Sequence, residues 1–213
     1  MGRFGIAAAL ALLALGPARA EADRAGAFDY YVLALSWTPS WCLAEGDARD
    51  APRCGAPGEG FSLHGLWPQH EAGWPADCAT PHAMPSRRET AAEADLFGSG
   101  AAAWHQWRKH GTCSGLDAAA YFALARRAYE AVARPALLRD LGRDVRLPAH
   151  VVEAAFLDAD PRLTPDAVTV TCRDGRVAEV RICLTRDGLA PRACGADVAR
   201  DCALPDALLP AIR

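Results

Sequence analysis

Ten consecutive residues, WHQWRKHGTC at 104–113, contain two imidazoles, an amide, an ammonium, two indoles and a thiol. Histidine changes charge near neutral pH and can accept or donate a proton, and lysine is a compact cationic donor to phosphate oxygens. This density of functional side chains predicts a catalytic or ligand-binding site. A local alternative remains open, because Lys109 and His110 would also complement the dipole at the C-terminus of a helix.

The same segment is predicted to be a helix over residues 101–110. Residues one turn apart on a helix lie on the same side, and this rule groups four polar side chains on one face. These are His105, Gln106, Lys109 and His110. We expect a face this polar to lie outside the core, and we expect Gly111 to end the helix as a C-terminal glycine.

A second dense segment reads FSLHGLWP at 61–68. Apolar and polar residues alternate here, which predicts a short strand that carries His64 on its polar face and ends at Pro68. A single strand histidine is more often structural than catalytic. Together with His110, however, His64 forms a pair that can take a proton from a nucleophile and give one to a leaving group.

The chemistry predicted for this pair is phosphoryl transfer rather than acyl transfer. Lys109, the only lysine of the chain, and His105 can both donate to a phosphoryl oxygen whose charge grows in the transition state. The sequence contains no GxSxG, no phosphate-binding glycine-rich loop and no HExxH zinc motif. A metal enzyme with three histidine ligands, His64, His105 and His110, is a competing interpretation that leaves the position of Lys109 unexplained.

Residues 1–20 have the pattern of a secretory signal peptide. Arg3 precedes an apolar run, and Ala18-Arg19-Ala20 resembles a cleavage site. Cleavage after Ala20 would leave residues 21–213, which we expect to form one exported domain in the periplasm or outside the cell. The apolar run is too short to span a bilayer comfortably, so no membrane association is expected.

All eight cysteines lie beyond residue 20, and their even number predicts four disulfides formed in an oxidising compartment. No CxxC pair occurs, which argues against a structural zinc site. Spacing alone leaves about 105 pairings open. The formal net charge of −3 shows no global basic field, so any contact with a polyanion must be local.

The predicted elements are strands at both ends of the chain around a helical middle. Strands are predicted at 28–37, 61–68, 167–172 and 176–184, and helices at 86–96, 101–110, 116–132 and 148–157. Asp174-Gly175 predicts a hairpin turn between the last two strands. Residues 42–60 and the tail from Thr185 are predicted to be loops. This order favours an α+β fold with an antiparallel β-sheet core flanked by helices.

The two dense segments, 61–68 and 104–113, resemble the two conserved segments of the ribonuclease T2 family of secreted, metal-independent endoribonucleases. The opening strand and the C-terminal cysteine pattern extend the resemblance over most of residues 28–202. It implies attack by the ribose 2′-OH on single-stranded RNA, which yields 2′,3′-cyclic phosphates and then 3′-phosphates without a cofactor. DNA lacks the 2′-OH and would not be cleaved. A monomer is expected.

The resemblance also implies a catalytic role for individual residues. His110 resembles the general base that activates the 2′-OH, and His64 resembles the general acid that protonates the leaving 5′ oxygen. Lys109 resembles the lysine that stabilises the phosphorane, and His105 resembles the histidine that helps to hold the phosphate. Two indoles are expected to pack beside the site or to stack on a base: Trp67 and Trp104.

One catalytic position departs from the family, because Gln106 stands where the family usually has glutamate. Glutamine keeps the shape and can donate a hydrogen bond, but it cannot carry charge or act as a base. We expect an active enzyme with an altered pH profile. The alternative is a weakened or inactive, secreted, disulfide-rich module that binds RNA or protein.

The family's disulfide framework implies the pairing of the cysteines. It pairs Cys78 with Cys113, and Cys172 with Cys202 around a second pair, Cys183 with Cys194. Cys42 and Cys54 are then left to pair with each other.

Overall fold

The computed structural model describes residues 24–55, 58 and 60–213. The expected signal peptide, residues 1–20, lies outside the described residues. Within the described ranges, no helix combines the length and the apolar character needed to cross a membrane.

The fold is α+β, as predicted. The strands are β1 (Tyr30–Trp37), β2 (Phe61–Gln69), β3 (Val145–Leu147), β4 (Val168–Arg173), β5 (Arg176–Thr185) and β6 (Ala207–Leu209). The helices are α1 (Thr38–Trp41), α2 (Pro52–Gly55), α3 (Arg87–Ala92), α4 (Ala94–Phe97), α5 (Gly100–Lys109), α6 (Ala118–Ala131) and α7 (Ala149–Ala159). The predicted helix at 86–96 is therefore divided at Glu93, and the predicted loop at 42–60 contains short helical turns.

The described strands form one sheet in which β1 lies between β2 and β5 and pairs antiparallel with both. The hairpin of β4 and β5 turns at Asp174 and Gly175, whose φ angles of 50° and 74° fit the predicted turn. Strands β5 and β6 meet in one parallel pair, Arg176 with Leu208, so the sheet is mixed rather than purely antiparallel. Sequence patterns missed β3 and β6, because three residues are too few to show alternation.

The core forms between the sheet and the helices, and it includes residues of α5, α6 and α7. Every residue of β1 is buried, which explains why its sequence is aromatic or aliphatic at every position except Ser36. Trp107 of α5 packs on Tyr121 and Phe122 of α6. The hydroxyl of Tyr121 donates to the backbone oxygen of Leu66 at 2.9 Å, which ties α6 to β2.

Four disulfides connect the described part of the chain. They join Cys42 to Cys54, Cys78 to Cys113, Cys172 to Cys202 and Cys183 to Cys194. These are the pairs that the family resemblance implies. The bond between Cys78 and Cys113 fastens the loop after β2 to the segment after α5, and the Asp77 N–H donates to the Lys109 backbone oxygen beside it at 2.9 Å.

Gly111 does not end α5 in the way the sequence predicted. A short 3₁₀ turn follows the helix, and the left-handed residue is Gly115, with φ 79°, rather than Gly111. A Cβ on Gly111 would lie 2.4 Å from the ring of Trp107 and 2.9 Å from that of Tyr121. Close packing, and not a left-handed backbone, therefore requires glycine at this position.

Replacing Gly111 with alanine tests this packing role. We expect Gly111→Ala to lower the free energy of unfolding by about 1–3 kcal/mol, because a methyl group must displace buried rings. Gly55→Ala is the matched control, since a Cβ there meets no atom within 4 Å. Chemical denaturation measures both. Equal stability of Gly111→Ala and the parent would contradict the packing role.

Candidate active site

Helix α5 begins after a turn at Gly98 and Ser99. It carries three polar side chains of the predicted site, and the fourth, His110, directly follows it. Gly98 is left-handed, with φ 83°, and the Ser99 hydroxyl caps the helix by accepting the Ala102 N–H at 3.1 Å. The polar face was predicted to lie outside the core, and this is wrong for two of its members. Gln106 is 4 % exposed and His110 is 8 % exposed, because strand β2 lies against that face.

The indole of Trp67 on β2 joins the two dense segments. Its Nε1 donates to Oε1 of Gln106 at 2.9 Å. Its ring stacks on His110, with 5.2 Å between ring centroids, and makes an edge contact with His64 at 5.0 Å. Gly65 makes room for this arrangement, since a Cβ there would lie 2.2 Å from the Trp67 nitrogen. Both candidate proton carriers therefore contact one aromatic ring.

The hydrogen bond from Trp67 fixes the orientation of the Gln106 amide. An indole nitrogen is only a donor, so Gln106 must turn its oxygen towards it and its NH₂ group away. Gln106 also lines the cavity described below. A glutamate here could accept the same indole N–H, but its second oxygen would be an acceptor. Glutamine thus replaces an acceptor with a donor at the cavity wall.

His110 lies in an environment that keeps its imidazole neutral. Burial lowers its pKa to about 3, and the charges of Lys109, His64 and His105 act in the same direction. Its Nδ1 is buried and has no hydrogen-bond partner in the described part of the protein. A neutral imidazole can accept a proton throughout the neutral and mildly acidic pH range.

His64 is the extra residue of a β-bulge. Gly65 pairs with Ala34 of β1 and Leu63 pairs with Leu35, so His64 has no partner in the β1–β2 register. Bulges turn a side chain away from the regular pleat and are frequent beside active sites. The side chain of His64 is 45 % exposed in a strand that is otherwise mostly buried. The predicted polar orientation of His64 agrees with this exposure.

A carboxylate that sequence patterns missed lies beside His64. Nδ1 of His64 is 2.5 Å from Oε1 of Glu179, on strand β5. Burial alone would raise the pKa of Glu179, but the hydrogen bond and the charge of His64, together with Arg181, outweigh burial and lower it. The alternation of Glu179 and Arg181 with Val180 indicates a polar strand face. The sequence does not predict that this face lies beside His64.

Lys109 and His105 complete the cationic side of the site. Lys109 is half-buried and forms no ion pair with the described residues, so its charge is not neutralised by a neighbouring carboxylate. His105 is exposed at the cavity, and burial of part of its ring, followed by the charges of Lys109 and Arg108, lowers its pKa. Neither side chain contributes to the hydrophobic core.

A cavity of about 950 Å³ opens between α5 and the sheet and contains His64, His105 and Gln106 in its wall. Its wall is also rich in arginine: Arg49, Arg53, Arg173, Arg176 and Arg181. Several hydroxyl groups also line it: Ser36, Thr38, Ser40 and Ser62. A cavity of this size with local positive charge suits a polyanionic ligand, although the chain as a whole is not basic.

Trp104 and four histidines do not line the cavity. Trp104 is 41 % exposed, the guanidinium of Arg108 is 5.7 Å from its ring centroid, and its expected contact with substrate stays a prediction. The four histidines are His70, His82, His150 and His110, and of these His110 contacts Trp67.

The geometry of potential metal ligands does not match the three-histidine interpretation. Among the described residues, the ring nitrogens of His64, His105 and His110 do not all come within 4.8 Å of one another. Cys42, Asp47 and Cys54 do cluster this closely, but their two sulfur atoms are joined in a disulfide.

Curated relatives of the chain are ribonucleases. A protein named ribonuclease from Aeromonas hydrophila is 44% identical over 94 residues, which are 44% of this chain and 41% of that protein. Intracellular ribonuclease LX from Solanum lycopersicum is 32% identical over 46% of each chain. Ribonuclease I from Escherichia coli (strain K12) is 29% identical over 85% of each. The chain spans less than half the length of the first curated relatives that it matches.

Solved structures share the fold. An RNase-related protein from Calystegia sepium superimposes with a TM-score of 0.65 at 21% identity, over 87% of this chain and 98% of that one. RNase NT, solved in complex with 5′-AMP, also gives a TM-score of 0.65, at 22% identity over 84% and 97% of the two chains. The model of the Ribonuclease T2 family matches residues 28–194, which include both histidine segments and seven of the eight cysteines. The chain therefore belongs to the ribonuclease T2 family.

Proposed function

We propose that this protein is an endoribonuclease that cleaves single-stranded RNA by attack of the ribose 2′-OH. The observation that carries the proposal is the contrast between two histidines on one indole. His110 is buried among cations, whereas His64 is hydrogen-bonded to a carboxylate. A buried, neutral imidazole is suited to accept a proton, and a second, exposed imidazole on the same indole is suited to exchange one with the leaving group.

In the proposed reaction, neutral His110 accepts the proton of the 2′-OH as the 2′ oxygen attacks phosphorus. The bond from phosphorus to the 5′ oxygen breaks, and His64 donates a proton to that oxygen. The products are a 2′,3′-cyclic phosphate and a free 5′-OH. Water can then open the cyclic phosphate to a 3′-phosphate, with the two histidines in exchanged roles. DNA has no 2′-OH and cannot react by this route.

Negative charge grows on the phosphoryl oxygens during this step. Lys109 has no carboxylate partner in the described part of the chain, and the NH₂ group of Gln106 is turned away from Trp67. Both are therefore suited to donate to those oxygens, with His105 as a third donor. The arginines in the cavity wall suit neighbouring phosphates of the same strand. No cofactor takes part in this scheme.

We also propose that the protein works as an exported monomer. Four disulfides in the described part fit an oxidising compartment. The pattern of residues 1–20 supports cleavage after Ala20, with delivery to the periplasm or the exterior.

The first test is cleavage of RNA in excess chelator, with single-stranded DNA of the same sequence as a second substrate. We expect the protein to cleave the RNA to 2′,3′-cyclic phosphates and to leave the DNA intact. His110→Ala should lose at least about 100-fold in rate, because it removes the general base. His150→Ala is the matched control, since His150 is exposed on α7 and lies outside the cavity.

Other outcomes of this test would support other functions. Inhibition by the chelator would favour a metal-dependent enzyme. Binding of RNA without cleavage by the parent protein would favour the inactive binding module. Full activity of His110→Ala would remove His110 from the reaction.

The pH dependence of kcat/KM tests the role of His110 as base. A base must be unprotonated, so on the acid side the rate falls as the pH drops through the pKa of His110, which is about 3. We therefore expect kcat/KM to hold down to about pH 4 and to decline below it. Lys109→Gln should move this decline to higher pH, because the lysine charge helps to lower the pKa of His110. It should also reduce the rate by about 100-fold or more.

Arg108→Gln is the matched control for Lys109→Gln. It removes a neighbouring cation from α5 whose charge does not contribute to the shift at His110. An equal displacement of the acid limb in both variants would mean that the pKa of His110 follows the overall charge of the helix rather than Lys109.

Gln106→Glu tests the departure from the family pattern. A carboxylate at this position should raise the pKa of His110 and move the acid limb of kcat/KM to higher pH. We expect the maximal rate to change by less than 100-fold, about 2.7 kcal/mol, because the Trp67 hydrogen bond can persist. Gln106→Leu, which leaves the indole N–H unpaired, should lose more activity. A gain of 100-fold or more in Gln106→Glu would show that glutamine severely impairs the enzyme.

A further inference from the structure

We propose that Glu179 is a positioning residue that holds His64 in the Nδ1–H form and presents its Nε2 to the leaving oxygen. The proposal deepens the proposed function, since it rests on His64 as the general acid. The histidine is on β2 and the carboxylate is on β5, so this contact crosses strand β1.

The register of the sheet explains how side chains two strands apart can meet. Ser36 of β1 pairs with Ser62 of β2 on one side and with Glu179 of β5 on the other. Directly paired residues point to the same face, so these three side chains form one row. Strands two apart are separated by roughly 10 Å. The small side chain of Ser36 leaves space above β1, and the bulge at His64 directs the imidazole over it.

Glu179 is itself held rigidly. Its Oε1 accepts from His64, and its Oε2 accepts from Nε and Nη2 of Arg181 at 3.0 and 2.8 Å. The Arg181 guanidinium lies 5.6 Å from the ring centroid of Trp67, which in turn contacts His64. The four side chains therefore form a closed ring of contacts. The Glu179 side chain is only 12 % exposed, so its position is set by the protein.

The chemistry of the contact determines which imidazole nitrogen is free. A carboxylate is only an acceptor, so the short contact requires a proton on Nδ1 of His64. The proton exchanged with substrate must then be carried by Nε2. Two carboxylates line the cavity, Glu45 and Glu179, and of these only Glu179 contacts a site histidine.

Stability alone does not account for this ion pair. His64 is substantially exposed, and an ion pair with one solvated partner contributes little to folding. A mobile strand histidine would populate both tautomers and several rotamers. Fixing one of each aligns a proton donor with the substrate, which affects the rate of the chemical step more than binding.

The test combines steady-state kinetics with ¹⁵N NMR of the His64 ring in the full protein. The variants are Glu179→Ala, Glu179→Gln and Glu179→Asp. The matched control is Glu71→Gln, because Glu71 pairs with Arg192 at 2.8 Å and lies outside the cavity. Spectra are recorded without substrate at alkaline pH, where histidine side chains are neutral. Far-UV circular dichroism checks that each variant is folded.

We expect the parent His64 to be in the Nδ1–H form and Glu179→Ala to shift it towards the Nε2–H form. We expect kcat to fall by at least about 10-fold while KM changes by less than about 3-fold, as for other residues that orient a catalytic histidine. Glu179→Gln should be intermediate, Glu179→Asp should keep part of the activity, and Glu71→Gln should match the parent.

The two readouts separate this proposal from the proposed function. An Nε2–H form in the parent, or an unchanged tautomer in Glu179→Ala, would overturn the positioning role even if the protein cleaves RNA. An unchanged kcat in Glu179→Ala would overturn it as well. If the parent does not cleave RNA, the proposed function fails, and the tautomer shift alone decides whether Glu179 orients His64.

Discussion

The hydrogen bond from Trp67 to Gln106 is the contact on which the geometry of the site depends. It joins a strand to a helix across 39 positions of sequence, and the same indole contacts both His64 and His110. Gly65 has no side chain where the two groups meet. This contact therefore links the strand that carries His64 to the helix that His110 directly follows.

The negative charge of the site comes from the sheet instead of the helix. Gln106 is neutral, so α5 places no carboxylate on this face, and burial together with the charge of Lys109 lowers the pKa of His110. Glu179 places its carboxylate beside His64, on the opposite side of the chemistry. The carboxylate of the site therefore lies beside the proposed acid and not beside the proposed base. Glutamine at position 106 is thus compatible with acid-base catalysis.

The sequence predicts the elements of this site better than it predicts their contacts. The spacing within 104–113 predicts a helix, and alternation predicts the polar orientation of His64, because both patterns are local. Burial of Gln106 and His110 depends on where β2 packs, and the periodicity of the helix does not predict this position. Glu179 is 115 positions from His64, and its role depends on strand order, a bulge and a small residue on the intervening strand. Even Gly111 has a tertiary explanation, since two rings pack against it.

Burial of the proposed base, His110, lowers the stability of the fold, and other parts of the chain must offset this loss. The imidazole of His110 is buried with one nitrogen lacking a protein partner, and an unpaired buried polar group costs about 1–3 kcal/mol. An apolar residue of similar size would serve the core better but could not accept a proton. The fully buried strand β1 and the disulfide from Cys78 to Cys113 lie next to the two histidine segments. Rigid packing there allows a destabilising imidazole to keep a fixed position, and the proposed reaction requires a base that is unprotonated and held in place.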